Sequence, residues 1–290
     1  MLLKNNTFTL KWIEDREFFD NTSRNKFIYE KLIILNKKKS MLDLGCGTGS
    51  FLRWCLSNKV FFKNVHLIDH DKALTKHIYN ILKKKLNNSY KIIGNKYLNK
   101  FKLIYKDQES INILIKNNNI LDYIDKLDNF DVVSFSAVSD LLSKSITRKI
   151  LSNLNSEKVI LFTLCFNGKI QWHPTNIHDK YISKIFIKDM QTDKGFGPAL
   201  GCNFKKYLTQ LIEKKYYKIE SADSTWRIKS SDLRSTNFQK SFLQIVYSVM
   251  KNRNDISIDI LESWYHSRLK SIQNKSSKLI VGHDDFIIKK

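Results

Sequence analysis

Three glycines at alternate positions, Gly45, Gly47 and Gly49, follow the apolar run Met41-Leu42-Asp43-Leu44 and precede an amphipathic stretch. A strand that turns sharply into a helix needs dihedrals that a Cβ forbids, and a backbone without Cβ atoms lets a ligand approach closely. About 20 residues further on, Val65-His66-Leu67-Ile68 ends in Asp69, followed by His70 and Asp71. In a doubly wound sheet this puts a carboxylate at the carboxyl end of the next strand, where it accepts hydrogen bonds from both hydroxyls of a ribose. Loop and acid together point to a ligand that carries a nucleoside. The spacing G-x-G-x-G lacks the third glycine position of the dinucleotide fingerprint, and no Gly-Lys-Ser/Thr follows, which excludes a P-loop.

Other residues have the chemistry of a reaction centre. His173, in Trp172-His173-Pro174, has an ordinary pKa of about 6.5, suited to removing a proton near neutrality. Asp193 and Asp140 are the alternative bases, and Asp140 is equally placed to cap a helix. Trp172, Trp226 and Phe196 either wall an apolar pocket, surround a cation, or pack in the core. Lys194 and Arg227 either neutralise an anionic substrate or stand in solvent. Near the start, Arg16, Asp20 and Arg24 share one face of a helix at spacings that allow ion pairing.

The elements that must position these groups alternate between strand and helix. Residues 10–36 read as one or two helices, with Trp12, Ile13, Phe18, Phe19, Phe27, Ile28, Leu32 and Ile33 at roughly helical spacing. After the glycine loop, Phe51–Leu56 and residues 72–86 suit two crossover helices. Lys102–Lys106 reads as the third strand, with Asp107 and Gln108 at its end, and Tyr90–Ile93 competes as a short strand. Phe130–Ser136 reads as a buried fourth strand, residues 145–155 as a helix and Lys158–Leu164 as a fifth strand. Tyr217–Asp223 and Leu279–Ile288 read as the sixth and seventh, with helices over 204–215 and two more within 236–273. Between the fifth strand and these, residues 165–203 hold both prolines and four of the nine glycines, as a lid or substrate-binding element would.

Leu42-Asp43-Leu44-Gly45-Cys46-Gly47-Thr48-Gly49 resembles motif I of class I S-adenosylmethionine (SAM)-dependent methyltransferases, nearly residue for residue. The resemblance implies an α/β, Rossmann-like sheet of seven mostly parallel strands, the last antiparallel, with helices on both faces. It implies a single domain over 1–290, with an N-terminal helical cap over 1–38, a lid over 165–203 and added helices over 236–273. It also implies SAM as cofactor and S-adenosylhomocysteine as product. Asp43, Gly45, Cys46, Gly47 and Gly49 would then line the methionine–ribose portion, with Asp69 on the ribose and His70 beside the adenosine. Asp107 or Gln108 would reach the adenine, Ser136 and Ala137 would lie at the exit of the fourth strand, and Arg16 or Arg24 would meet the SAM carboxylate. Ala137-Val138-Ser139-Asp140 is not the Asn/Asp-Pro-Pro-Tyr/Phe of enzymes that methylate exocyclic amines of nucleobases. The segments Arg16-Glu17…Asp20…Arg24, Asp193-Lys194-Gly195-Phe196-Gly197-Pro198-Ala199-Leu200-Gly201 and Ala222-Asp223-Ser224-Thr225-Trp226-Arg227 are similar to bacterial members of the same class. A small-molecule acceptor beneath the lid is the expectation, and methyl transfer from SAM requires no metal. An RNA methyltransferase, or a non-catalytic module binding SAM or RNA, is the alternative.

Composition bounds the rest. Fifty basic against twenty-eight acidic residues give a net charge of +22, which suits a polyanion such as RNA or equally a sequence rich in Lys, Asn and Ile. The lysines are spread along the chain rather than gathered into an arm. No apolar stretch is long enough to span a membrane, and the start has no secretory pattern. Cys46, Cys55, Cys165 and Cys202 show no C-x-x-C spacing, so neither a disulfide framework nor a zinc site is indicated, and a reducing cytoplasm is the expected location.

Overall fold

The computed structural model describes residues 9–34, 40–86, 88–95, 99–106, 109–154, 158–213, 217–251 and 253–289. Ten strands form one sheet: β1 (Ser40–Leu44), β2 (Asn64–Ile68), β3 (Tyr90–Asn95), β4 (Lys100–Tyr105), β5 (Glu109–Lys116), β6 (Val132–Ser136), β7 (Val159–His173), β8 (Lys218–Asp223), β9 (Trp226–Lys229) and β10 (Lys278–Lys289). Their order is β3-β4-β5-β2-β1-β6-β7-β10-β8, with β9 also on β10. The strands β5, β2, β1, β6 and β7 run parallel, and β10 is antiparallel to both β7 and β8. This is a Rossmann-like, doubly wound arrangement with an antiparallel late strand, as the sequence led us to expect. The strand count is not: β3, β4 and β9 are added to the seven.

Helices cover both faces of the parallel half, where β1, β6 and β7 bury residues on both sides. The helices are α1 (Leu10–Ser23), α2 (Lys26–Ile34), α3 (Ser50–Ser57), α4 (Lys72–Thr75), α5 (Ile78–Lys85), α6 (Lys144–Ser152), α7 (Asp179–Asp189), α8 (Phe204–Glu213), α9 (Leu233–Met250) and α10 (Ile258–Gln273). Ile28 and Leu32 of α2, Phe51 and Leu52 of α3, and Ile78 and Leu82 of α5 pack on Met41, Val65 and Leu67. On the other face, Ile150 of α6 and Phe204 and Leu208 of α8 pack on Leu42, Leu44 and Val133. A third cluster joins α1, α7, α9 and α10 to β9 and the outer parts of β7 and β10, through Trp12, Phe186, Phe242, Trp264, Trp226 and Trp172. No helix among the described residues is long and apolar enough to cross a membrane.

Two element readings need correction. The run 102–106 is not the third parallel strand. It belongs to β4, which pairs antiparallel with β3 and β5, so its carboxyl end lies at the opposite edge of the sheet from the glycine loop. The third parallel strand is β5, paired with β2 from Asn64↔Asn112 to Ile68↔Lys116. Both runs are short, apolar and β-branched, and periodicity cannot choose between them. The fifth parallel strand also does not end at residue 164. Residues 165–173 continue β7, paired with β10 from Lys278↔His173 to Lys289↔Val159 with two register shifts. Gly168, at φ 90°, lets a polar stretch that reads as loop stay in the strand, where any Cβ would lie 2.9 Å from Cys202 Cβ.

Candidate active site

Between β1 and α3 the chain turns on left-handed glycines: Gly45 at φ 75° and Gly47 at φ 54°. A Cβ on Gly45 would lie 2.7 Å from Val138 Cγ2, whereas one on Gly47 would meet nothing within 4 Å. Gly45 is therefore required for packing under the loop, and Gly47 leaves its upper side open. The loop is fastened to β2: Gly45 N and Cys46 N donate to Ile68 O at 2.9 and 3.1 Å. Gly47 N donates to Asp69 Oδ2 at 2.8 Å and Asp71 N to Asp69 Oδ1 at 2.9 Å. Each carboxylate oxygen keeps a further lone pair. Burial pushes the Asp69 carboxyl up, against the pull of these backbone donors.

The loop is also braced from α1. Arg53 of α3 donates to Glu17 Oε1 at 2.7 Å and to Thr48 Oγ1 at 3.1 Å, and Lys85 Nζ lies 2.6 Å from Glu17 Oε2. Behind the site, the buried Arg24 donates to Ser136 Oγ at 2.8 Å and Thr163 Oγ1 at 2.7 Å. The residues that follow these two, Ala137 (φ 57°) and Leu164 (φ 56°), are both left-handed. Such strain persists only where surrounding contacts fix it, and the guanidinium supplies one on each strand end. Asp43, in the middle of β1, is fully buried, and burial pushes its pKa up to about 7 despite the nearby Arg24.

Two adjoining cavities open at the carboxyl edge. The first, of about 290 Å³, is lined by the glycine loop, Asp69, His70, Asp71, Leu74, Asn119, Ile120, Ser136, Ala137, Arg16 and Lys194–Phe196. The second, of about 110 Å³, is lined by Trp12, Phe166, Phe186, Trp226, Phe242 and Leu164, with Asp140 and His283 as polar members. Arg16, Ala137, Leu141 and Lys194 border both. Arg16 Nε donates to Asp20 Oδ2 at 2.8 Å, and its guanidinium carbon lies 5.0 Å from the Trp226 ring centre. Trp226 Nε1 donates to the other oxygen, Asp20 Oδ1, at 3.1 Å.

The structure therefore brings together Gly45, Cys46, Gly47, Asp69, His70, Ser136, Ala137, Arg16, Lys194 and Phe196 around the first cavity, and Asp140 and Trp226 around the second. Gly49 (φ 79°) stands at the start of α3. Several candidates lie elsewhere. Arg24 is behind the cavity wall because α1 stops at Ser23 and the chain turns extended there. Trp172 is buried against Phe242 and Trp264. His173 is exposed at the far end of β7, nine residues past Leu164, roughly 30 Å of strand. Asp193 is exposed and accepts from Gly195 N and Gly197 N at 2.7 and 3.0 Å, so it shapes the loop that carries Lys194 and Phe196. Arg227 is exposed and paired with Asp223 at 3.0 Å. Asp140 is not a helix cap, since Ser143 Oγ accepts from Ile146 N at the start of α6. Asp107 and Gln108 lie outside the described residues.

Residues that the sequence did not single out complete the walls. Asn119 and Ile120 follow β5 and became findable only once β5 replaced β4 in the parallel order. His283 lies in β10, and the polar triplet His283-Asp284-Asp285 inside an otherwise apolar strand was the available signal. Burial lowers its pKa to about 3, so the imidazole is neutral, and its Nδ1 has no partner among the described residues.

No protein-family model and no curated protein matches the sequence. Among solved structures the chain is similar to a putative methyltransferase from Bacillus halodurans, at 12% identity and TM-score 0.45, covering 90% of this chain and 96% of that one. It is similar to phosphoethanolamine N-methyltransferase 2 from Haemonchus contortus, in complex with phosphomonomethylethanolamine and S-adenosylhomocysteine, at 14% identity and TM-score 0.38. That match covers 87% of this chain and 49% of the Haemonchus chain, so this chain spans about half its length. It is also similar to the cyclopropane synthase MmaA2 from Mycobacterium tuberculosis, at 10% identity and TM-score 0.40, covering 87% and 78%.

Proposed function

We propose that the protein is a SAM-dependent methyltransferase with a small-molecule acceptor. The observation that carries this reading is the pairing of Gly47 with Asp69, which joins an open left-handed glycine loop to a buried carboxylate on the rim of one cavity. The donor set fits the cofactor. The free lone pairs of Asp69 suit the two ribose hydroxyls, Arg16 suits an α-carboxylate, and Leu74 and Ile120 offer apolar surface to an adenine with Asn119 at its edge. The bound cofactor supplies an electrophilic methyl on a sulfonium sulfur. What the chain contributes is placement, with the acceptor arriving past Ala137 and Leu141 and Lys194–Phe196 excluding water. The base, where the acceptor needs one, is Asp140. Burial in an apolar wall pushes its pKa up to about 6, close to the working range.

The chain is read as one methyltransferase domain capped by α1 and α2, in a reducing cytoplasm where its four cysteines stay free. Calorimetric titration with SAM and with NAD tests the cofactor. SAM is expected to bind, and preference for NAD overturns the reading. A methyl-transfer assay over a metabolite panel, read as S-adenosylhomocysteine released, then identifies the acceptor.

A further inference from the structure

The charges around the second cavity do not balance. Arg16 is held by Asp20 at 2.8 Å, and Lys194 by Asp189 at 2.9 Å. Arg253 is shared between Asp255 at 2.7 Å and Asp189 at 3.5 Å. Both cations that line this cavity, Arg16 and Lys194, thus already have an acid. Asp140 is buried, borders the cavity and has no ion-pair partner among the described residues, though the field of Arg16 reaches it. The imidazole of His283, on the opposite strand, is neutral and brings no positive charge. The remaining wall is aromatic and aliphatic: Trp12, Phe166, Phe186, Trp226, Phe242, Ile245 and Val249.

A buried carboxylate without a counter-charge is costly unless a ligand supplies one. An anionic ligand would add a second unpaired charge of the same sign, and a neutral alcohol would leave the first uncompensated. A cation flanked by aromatic faces is stabilised by both the acid and the rings. We infer that this cavity is an amine subsite: it holds the protonated nitrogen of a small molecule on Asp140 and the molecule's apolar, ring-sized body among Trp226, Phe166, Phe186 and Phe242. His283, whose Nδ1 has no partner among the described residues, borders the same cavity. The class of acceptor rests on the methyltransferase reading, because the two cavities meet at Ala137 and Leu141; the amine preference itself does not.

The test uses three probes of one shape and different charge, phenethylamine, 2-phenylethanol and phenylacetate, titrated calorimetrically into the full chain at about pH 7.5, where carboxylates with ordinary or modestly raised pKa are ionised. Phenethylamine is expected to bind about tenfold or more tighter than the alcohol, the difference due to one charged hydrogen bond, and phenylacetate is expected to bind weakest. Asp140→Asn, with its fold checked by circular dichroism, is expected to bring amine and alcohol to the same affinity. Equal binding of amine and alcohol by the unaltered chain, a preference for phenylacetate, or no binding of any probe overturns the inference. Titration with SAM in the same preparation separates the two readings. SAM binding without amine preference sinks the subsite and leaves the methyltransferase standing, and amine preference without SAM binding does the reverse.

Discussion

The first cavity is lined from the ends of β1, β2, β5 and β6, which lie side by side in the parallel half of the sheet. The second draws on α1, β7, α7, β9, α9 and β10, which are far apart in the chain. In the first, backbone does most of the shaping: left-handed glycines, amides on Asp69 and a strand-to-helix turn. In the second, side chains do it, and the backbone serves to carry large rings to one place. The difference teaches that a site can divide its work between a scaffold that any chain of this topology presents and a wall particular to this chain. The two should then fail separately when residues are changed, except at the parts they share.

Arg24 is such a shared part. Arg24→Ala is expected to destabilise the protein by about 3–5 kcal/mol in urea unfolding, because it leaves buried carboxyls and two strand-end hydroxyls without their cation. A loss under about 1 kcal/mol would mean that the two walls are not joined there. Asp69→Ala should lower SAM affinity by about 1.5–3 kcal/mol while phenethylamine binding stays as it was, and a parallel loss of both would erase the distinction. Gly47→Ala meets no neighbour, so its cost is the left-handed strain alone, about 1–2 kcal/mol in stability.

Asp43 gives a pH signature of the first region. Its pKa is about 7 in the folded chain against 3.8 unfolded, so the native state binds the proton more tightly. Its contribution is full below the unfolded value and is lost as pH rises through the folded one, with a slope of at most about 1.4 kcal/mol per pH unit. Asp43→Asn should remove that share of the fall in urea midpoint between the two values, leaving a smaller fall from Asp140. The smallest effects belong to residues outside both cavities. His173→Ala and Arg227→Ala should each change stability and both ligand affinities by less than about 0.5 kcal/mol.

Legibility followed the same division. The placement of Gly45, Gly47 and Asp69 was readable because it depends on local backbone geometry, which residue type and spacing encode. The third parallel strand was misread, since β4 and β5 carry the same pattern and only pairing decides which is parallel. Trp172 and His173 read as part of a lid because the fifth strand reads as ending at Leu164 and both prolines follow it, whereas pairing with β10 carries the strand on to His173. Trp226 and Asp140 stand out by type, but nothing local could bring them together with His283 around one cavity. Arg16 and Arg24 are equivalent by helical spacing, and the early end of α1 alone separates a residue at the cavity from one behind it.

The buried guanidinium has a consequence for how the chain is made. Arg24 waits for Ser136 and Thr163, respectively 112 and 139 residues later in synthesis. The adjacent Asn25 N donates to Asp285 Oδ2, 260 residues away, and the other oxygen of that carboxylate holds the left-handed Leu164. Glu17, Ile28 and Leu32 find partners on α3, α5, β1 and β2 soon after they are made, but the polar contacts behind the site are complete only once β10 has been made and inserted between β7 and β8. Trp12 and Phe19 of α1 wait for Trp226, Phe238 and Phe242, more than 200 residues later in synthesis, and until then are open to chaperones and to other nascent chains.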